Sequence, residues 1–211
     1  MCAKWTKRIC YKRAAGKKGT GVKIGILAIQ GDYEAHGRVL ERLGVEPVFV
    51  RKPADLEGIR GLILPGGESS THMKVLTEEG LLEPLKKIAK EGGAFFGTCA
   101  GAILLAREVH NPDQASLGLL DASVLRNGYG RQLASDVHFG ASAVKDAPLE
   151  MVFIRAPIIE SIGKDVRILA QYEGHPVLVE QGHVLAATFH PELTEDTTIH
   201  ERFLKLAKNG H

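Results

Sequence analysis

From residue 22 onward, short apolar runs alternate with segments whose apolar residues recur at helical spacing. Residues 22–29 (VKIGILAI) end at Gln30-Gly31-Asp32, the pattern of a buried strand and its exit turn. Over residues 33–43, His36, Val39, Leu40 and Leu43 share one helical face, and Gly44 supplies the stop. Residues 47–50 and 61–64 predict the second and third strands, the latter closed by Pro65-Gly66-Gly67. A helix is predicted over 76–89, before Glu91-Gly92-Gly93. A fourth strand, 94–96, runs into Gly97-Thr98-Cys99-Ala100-Gly101 and an apolar helix over 102–109. This β-α-β-β-α-β-α order predicts an α/β fold of three layers, α/β/α, with a mainly parallel central sheet.

The second half is richer in strands, at 123–125, 151–154, 166–172, 177–180 and 184–189, the last two joined as a hairpin through Gln181-Gly182-His183. A helix over 197–207 closes the pattern. Residues 127–150 show weak periodicity and several Gly, Ser and Asp residues, which reads as a long functional or mobile loop.

Composition narrows the class. With 211 residues, 44% hydrophobic and 25% charged, the chain has the material for one well-formed core, and neither a fibrous nor a disordered composition. The formal charge of +2 conceals an asymmetry: residues 1–20 hold seven basic and no acidic side chains. That leaves 20 basic against 25 acidic residues from Gly21 onward, about −5, so the charge gives no support to a nucleic-acid surface. Three cysteines are too few for a disulfide framework, and only Cys99 lies in the body. No apolar run approaches the roughly 18–20 residues that span a bilayer. The first 20 residues lack the apolar core of a secretory signal and the serine of a transit peptide. They read as a disordered leader, an expression remnant or the product of a start codon placed too far upstream. One domain over 21–211 is expected, in the cytoplasm and without a membrane partner.

Three segments carry chemistry. The strand, the G-x-C-x-G sequence and the helix place Cys99 at a nucleophile elbow, where flanking glycines let neighbouring backbone pass without a Cβ clash. The helix start favours a thiolate there. A cysteine between two glycines is otherwise a packing thiol; the coincidence of strand, elbow and helix favours the nucleophile. His190 ends a strand and is followed by Pro191-Glu192. Proline pushes the residue before it into extended geometry, so residues i and i+2 project to one side. Glu192 is thereby placed to hold one His190 nitrogen while the other faces Cys99, the logic of a triad in the order Cys, His, Glu. Pro65-Gly66-Gly67-Glu68-Ser69-Ser70-Thr71 is a small-residue loop whose backbone N–H groups suit a developing oxyanion. One of Ser69, Ser70 and Thr71 is expected to cap the next helix.

Taken together these motifs resemble the class I, triad-type glutamine amidotransferases (flavodoxin-like in fold), and within them the glutaminase subunits of pyridoxal 5′-phosphate synthases. The resemblance rests on residues 25–31 (GILAIQG), 64–69 (LPGGES), 97–101 (GTCAG), 126–132 (RNGYGRQ), 153–157 (FIRAP) and 190–193 (HPEL), and covers nearly everything beyond the leader. The RNGYGRQ and FIRAP segments are the narrower markers. Tyr129 stands where phenylalanine is common, and residues 135–150 match poorly. The resemblance implies that Cys99 attacks the side-chain amide of L-glutamine, with His190 shuttling protons and Glu192 orienting it. It implies an oxyanion hole from the Gly67 and Ala100 amides, and glutamine contacts from Gly67, Glu68, Ser69, Arg126, Ile154 and Arg155. An arginine suits the substrate carboxylate through paired hydrogen bonds, and is otherwise the partner of a surface ion pair. No metal and no cofactor are implied. The implied partner is a (β/α)8-barrel synthase that turns the ammonia, ribose 5-phosphate and glyceraldehyde 3-phosphate into pyridoxal 5′-phosphate, in an assembly of twelve copies of each subunit.

Other readings share parts of this pattern: an elbow-cysteine hydrolase or chaperone of the peptidase-like relatives, an inactive docking subunit, or an amidotransferase of another pathway. The first lacks a downstream H-P-E, an intact triad speaks against the second, and the RNGYGRQ and FIRAP segments disfavour the third. Because every motif lies beyond residue 20, removal of residues 1–20 is expected to leave glutamine hydrolysis unchanged, as measured by ammonia release; lost activity would make the leader part of the enzyme.

Overall fold

The computed structural model describes residues 22–126, 128 and 136–210. The basic leader and, within the 126–132 signature, residues 127 and 129–132 lie outside the described residues. The first half runs β1 (Ile24–Leu27), α1 (Tyr33–Arg42), β2 (Pro47–Val50), β3 (Gly61–Leu64), α2 (Ser69–Glu78), α3 (Leu82–Lys90) and β4 (Ala94–Thr98). Next come α4 (Ala100–Leu105), β5 (Ala106–His110), β6 (Leu120–Leu125), β7 (Asp136–Gly140), β8 (Leu149–Phe153) and β9 (Ile158–Ile162). The end is β10 (Arg167–Tyr172), β11 (His175–Gln181), β12 (Val184–Ala187) and α5 (Thr198–Asn209).

Seven strands form the main sheet, in the order β10-β11-β12-β4-β3-β1-β2. The five from β12 to β2 are parallel, and β11 and β10 add antiparallel pairings at one edge. Strands buried on both faces read as continuous apolar runs, because alternate residues feed opposite cores. Thus Leu62, Leu64 and Phe95 pack with Leu76 of α2, Leu85 of α3 and Leu104 of α4. Ile63 and Phe96 face the other way, against Leu40 of α1 and Phe203 and Leu204 of α5. The result is the three-layer α/β/α arrangement. Two small sheets flank it: β5-β6-β9, and the antiparallel pair β7-β8.

Several local expectations differ from the structure. The helix expected over 76–89 is two, α2 and α3, separated around Gly80, and α2 begins seven residues earlier. The apolar helix expected over 102–109 stops at Leu105, and 106–110 form β5. Pairing of β5 with β6 outweighs the weak helical pattern there, an override that short segments commonly undergo. The segment read as a loop over 127–150 contains β7, paired residue for residue with β8 from Asp136↔Phe153 to Gly140↔Leu149. The alternation conceals this strand because its apolar residues, Val137 and Phe139, are exposed, while His138 bonds the Tyr172 hydroxyl at 2.8 Å. Strand β9 has no counterpart among the expected strands. No described helix is long and apolar enough to cross a membrane.

At Gly101 a Cβ would overlap the Leu64 carbonyl oxygen, so α4 can lie on the end of β3 only without a side chain at this position. Gly101→Ala is expected to lower unfolding stability by about 1–3 kcal/mol, the range for overpacking, in urea denaturation.

Candidate active site

Cys99 sits between the end of β4 and the start of α4 with φ 48° and ψ −104°, a left-handed backbone that a cysteine adopts only under constraint. Its N–H donates to the Ala187 carbonyl of β12 at 2.9 Å, and its carbonyl accepts from the Ala102 N–H at 3.1 Å. These bonds tie the elbow to the sheet on one side and to the helix on the other. The residue is 7% exposed, and Sγ lies 3.8 Å from the Ile154 carbonyl oxygen. Helix α4 has only six residues, so the expected contribution of its N-terminal end comes from less than two turns.

His190 comes three residues after the end of β12 and is buried, with its N–H donating to the Val152 carbonyl of β8 at 2.8 Å. Its Nδ1 lies 2.8 Å from Glu192 Oε1. The contact arises differently from the sequence argument. Pro191–Leu193 form a 3-10 turn, and Glu192 curls back onto the ring instead of sharing a face of an extended segment. Proline suits the first position of such a turn, since its N–H would lack a partner there anyway. Gly66 closes the other side: a Cβ there would lie 2.5 Å from His190 Cε1.

The electrostatics are set by burial and pairing. Burial is the largest single influence on His190 and works against its charge, but contacts with Cys99 and Glu192 outweigh it and raise the value to about 10. For Glu192, burial pushes upward, yet His36 and His190 together hold the carboxyl below its ordinary range. Glu68 is lowered to about 2, first by the Ser70 hydroxyl and then, against some desolvation, by Thr71. Glu68 is also the cap of α2, its carboxylate accepting from the N–H groups of Ser70 (3.2 Å) and Thr71 (2.7 Å). The cap expected from Ser69, Ser70 or Thr71 is therefore supplied by Glu68. Ser69 is buried, and its hydroxyl donates to Gln114 Oε1 at 2.9 Å.

Cys99 and His190 open onto a cavity of about 400 Å³. Gly67, Glu68 and Ser69 line one wall, and Ile154 with Arg155 another. Arg126 also lines it, with Nη2 2.9 Å from Glu68 Oε1, so the ion pair considered for it is real and stands within the site. Arg155 holds a left-handed backbone, φ 47°. Glu192 stands behind His190, outside the cavity, and Ala100 lies behind Cys99 at the start of α4, also outside the lining.

Gly31, Asp32 and Ile103 line the cavity without having been singled out from sequence. Gly31 and Asp32 follow β1, and the carboxyl ends of parallel strands are where an open α/β sheet builds its crevice, a rule that could have placed them. Asp32, His190 and Glu192 bring ligand atoms within 4.8 Å, the one such group of potential metal ligands among the described residues. Of these, His190 Nδ1 and Glu192 Oε1 are paired with each other.

Comparison with known proteins supplies the context. The profile of the SNO glutamine amidotransferase family matches residues 26–209. A pyridoxal 5′-phosphate synthase subunit PdxT of Koribacter versatilis is 54% identical over 190 residues, covering 90% of this chain and 98% of that protein. One of the same name from Deinococcus radiodurans is 52% identical over 189 residues, covering 87% and 96%. A crystal structure of a glutamine amidotransferase superposes with a TM-score of 0.83 at 48% identity, covering 88% of this chain and 98% of that one.

Because His190 is raised from 6.5 to about 10 on folding, it contributes stability that is complete below pH 6.5 and lost as pH rises through 10. Urea midpoints measured from pH 6.5 to 10 are expected to fall more steeply for the wild type than for His190→Gln. Parallel curves would contradict a protonated His190.

Proposed function

The chain belongs to the SNO glutamine amidotransferase family, and from that premise we propose that it is the glutaminase subunit of a pyridoxal 5′-phosphate synthase. It hydrolyses L-glutamine to L-glutamate and passes the ammonia to a synthase subunit. The observation that carries this reading is the meeting of Cys99, the buried His190–Glu192 pair and two arginines at one cavity.

Glutamine enters with its side-chain amide toward Cys99. Its α-carboxylate is held by Arg155 and Arg126, where paired guanidinium hydrogen bonds fit a carboxylate. Glu68, fixed as an anion by Ser70 and Thr71, faces the α-ammonium group. The sulfur attacks as a thiolate, and the amide oxygen takes up negative charge against the Gly67 and Ala100 N–H groups. His190 carries its proton at the start, so it protonates the departing nitrogen as the C–N bond breaks. Ammonia leaves and a γ-glutamyl thioester remains on Cys99. Water then attacks this thioester, giving a proton to His190 and releasing glutamate and the thiolate. Glu192 keeps the ring in register and compensates its charge in both half-reactions.

The partner is the (β/α)8-barrel synthase, in an assembly of twelve subunits of each kind, working in the cytoplasm. Channelling follows from chemistry: free ammonia in water is mostly ammonium and no nucleophile, so a closed route to the synthase preserves the product's reactivity.

Cys99→Ala is expected to lower glutamine hydrolysis by at least about 10³-fold, as loss of a covalent nucleophile does. With synthase, ribose 5-phosphate and glyceraldehyde 3-phosphate, the amide ¹⁵N of glutamine should appear in pyridoxal 5′-phosphate, as read by mass spectrometry. Hydrolysis without label in the product would defeat the assignment to this synthase.

A further inference from the structure

Behind Glu192, away from the cavity, two more histidines continue the polar chain. His36 of α1 and His200 of α5 are both fully buried. His36 Nε2 lies 3.5 Å from Glu192 Oε1 and 3.2 Å from the hydroxyl of Thr98, the residue before the nucleophile. Its Nδ1 lies 2.9 Å from His200 Nε2. The Phe96 ring packs edge-on against both imidazoles.

The proton positions are set by the one nitrogen left unpaired. His200 Nδ1 is buried with no hydrogen-bond partner. A bare ring nitrogen there costs less than a stranded N–H, since an orphaned buried donor is the rarer and costlier case. His200 therefore carries its proton on Nε2 and donates to His36 Nδ1. His36, neutral because burial pulls it down more than Glu192 and Asp32 pull it up, then has its one proton on Nε2, facing Glu192 and Thr98. His200 is pulled down to about 3, by burial first and then by His36, with Arg42 adding to the effect against Glu192. His200 thus donates to His36, whose Nε2 lies 3.5 Å from Glu192 Oε1, while His190 Nδ1 meets the same oxygen at 2.8 Å.

We propose that His36 is a positioning residue for the triad: hydrogen-bonded through Nε2 to Thr98 and 3.5 Å from Glu192 Oε1, its imidazole stabilises electrostatically the carboxylate that pairs with His190, and His200 fixes the tautomer that makes this possible. The proposal rests on the reading of Cys99, His190 and Glu192 as the reacting groups. It accounts for a neutral histidine pair in a core where two phenylalanines would pack without polar cost. It also predicts that a residue of the last helix, out of reach of glutamine, tunes the reaction.

The groups facing His36 are Glu192 and His190 from the turn after β12, Asp32 before α1, Thr98 of β4 and His200 of α5. Removing the His36 donor leaves the carboxylate less stabilised as an anion, so it protonates at higher pH. Steady-state glutaminase kinetics with the synthase bound, from pH 5 to 9, test this on three variants of the full chain. His36→Asn reaches His200 but not Glu192, and is expected to lower kcat about tenfold, with KM for glutamine within about twofold and the acidic limb displaced upward by about one pH unit. His36→Gln places an amide N–H near the Nε2 position and should recover most of the loss. His200→Leu frees the His36 tautomer and should lower kcat several-fold with the same displacement. Equal losses in the Asn and Gln variants, or an unmoved acidic limb in His36→Asn, would reduce His36 to a packing residue. Should His36→Asn fail to fold, His200→Leu decides alone, and wild-type kcat there overturns the proposal. Hydrolysis surviving in Cys99→Ala would instead remove the triad reading itself.

Discussion

The left-handed backbone at Cys99 is the constraint on which the rest of the site depends. A cysteine does not hold φ 48° unaided, and here the neighbours on both sides fix it. The Ala187 carbonyl of β12 accepts its N–H, and Gly101 lets α4 settle on the Leu64 carbonyl at the end of β3. The elbow thus requires three parallel strands in register, with Leu64 opposite Gly97 and Ala187 opposite Thr98. Those same strand ends deliver the other functional parts. Beyond Leu64 come Gly66 against the His190 ring and Gly67 on the cavity wall; beyond Ala187 comes His190 itself.

Burial gives the site its electrostatic character. A carboxylate as enclosed as Glu192 would be costly if isolated, and it stays anionic because His190 bonds it at 2.8 Å and His36 stands 3.5 Å away. The charge of His190 balances it, whereas His36 stays neutral and serves by its dipole. Two pH windows separate in consequence. Above 6.5 the titration of His190 governs the stability of the site. Below 6.5 the buried His36–His200 pair resists protonation, and stability is lost as pH falls toward 3. At the cavity mouth the forces are weaker, since the Glu68–Arg126 pair is partly exposed and water screens it.

Much of this was legible in residues 22–101, where local pattern and tertiary role agree. The runs VKIGILAI and GLIL are apolar almost throughout, and a strand in the middle of a sheet, buried on both faces, needs such a run. The elbow was legible for a different reason: glycine, cysteine and glycine at fixed spacing answer a steric demand that few other structures make. The H-P-E signal pointed to the right contact through the wrong geometry, because a proline restricts the residue before it and leaves the path of the residues after it open. Strands β5 and β7 were obscured by tertiary pairing, one within a helix-like pattern and the other with its apolar side chains outward. His36 was visible only as an apolar-face residue of α1. Its role depends on His200, 164 residues away, and no local pattern encodes such a meeting.

The strand order has a consequence for how the molecule is made. Strand β12 lies in the interior of the sheet, between β4 and β11, yet it is the last strand in sequence among the described residues. During synthesis Cys99 leaves the ribosome about 90 residues before His190, and the turn that shapes it lacks its Ala187 tether until β12 follows. The sheet can be laid down early only with a gap beside β4, which the late hairpin must fill. Chains that stop before β12 therefore lack both His190 and the Ala187 tether of Cys99.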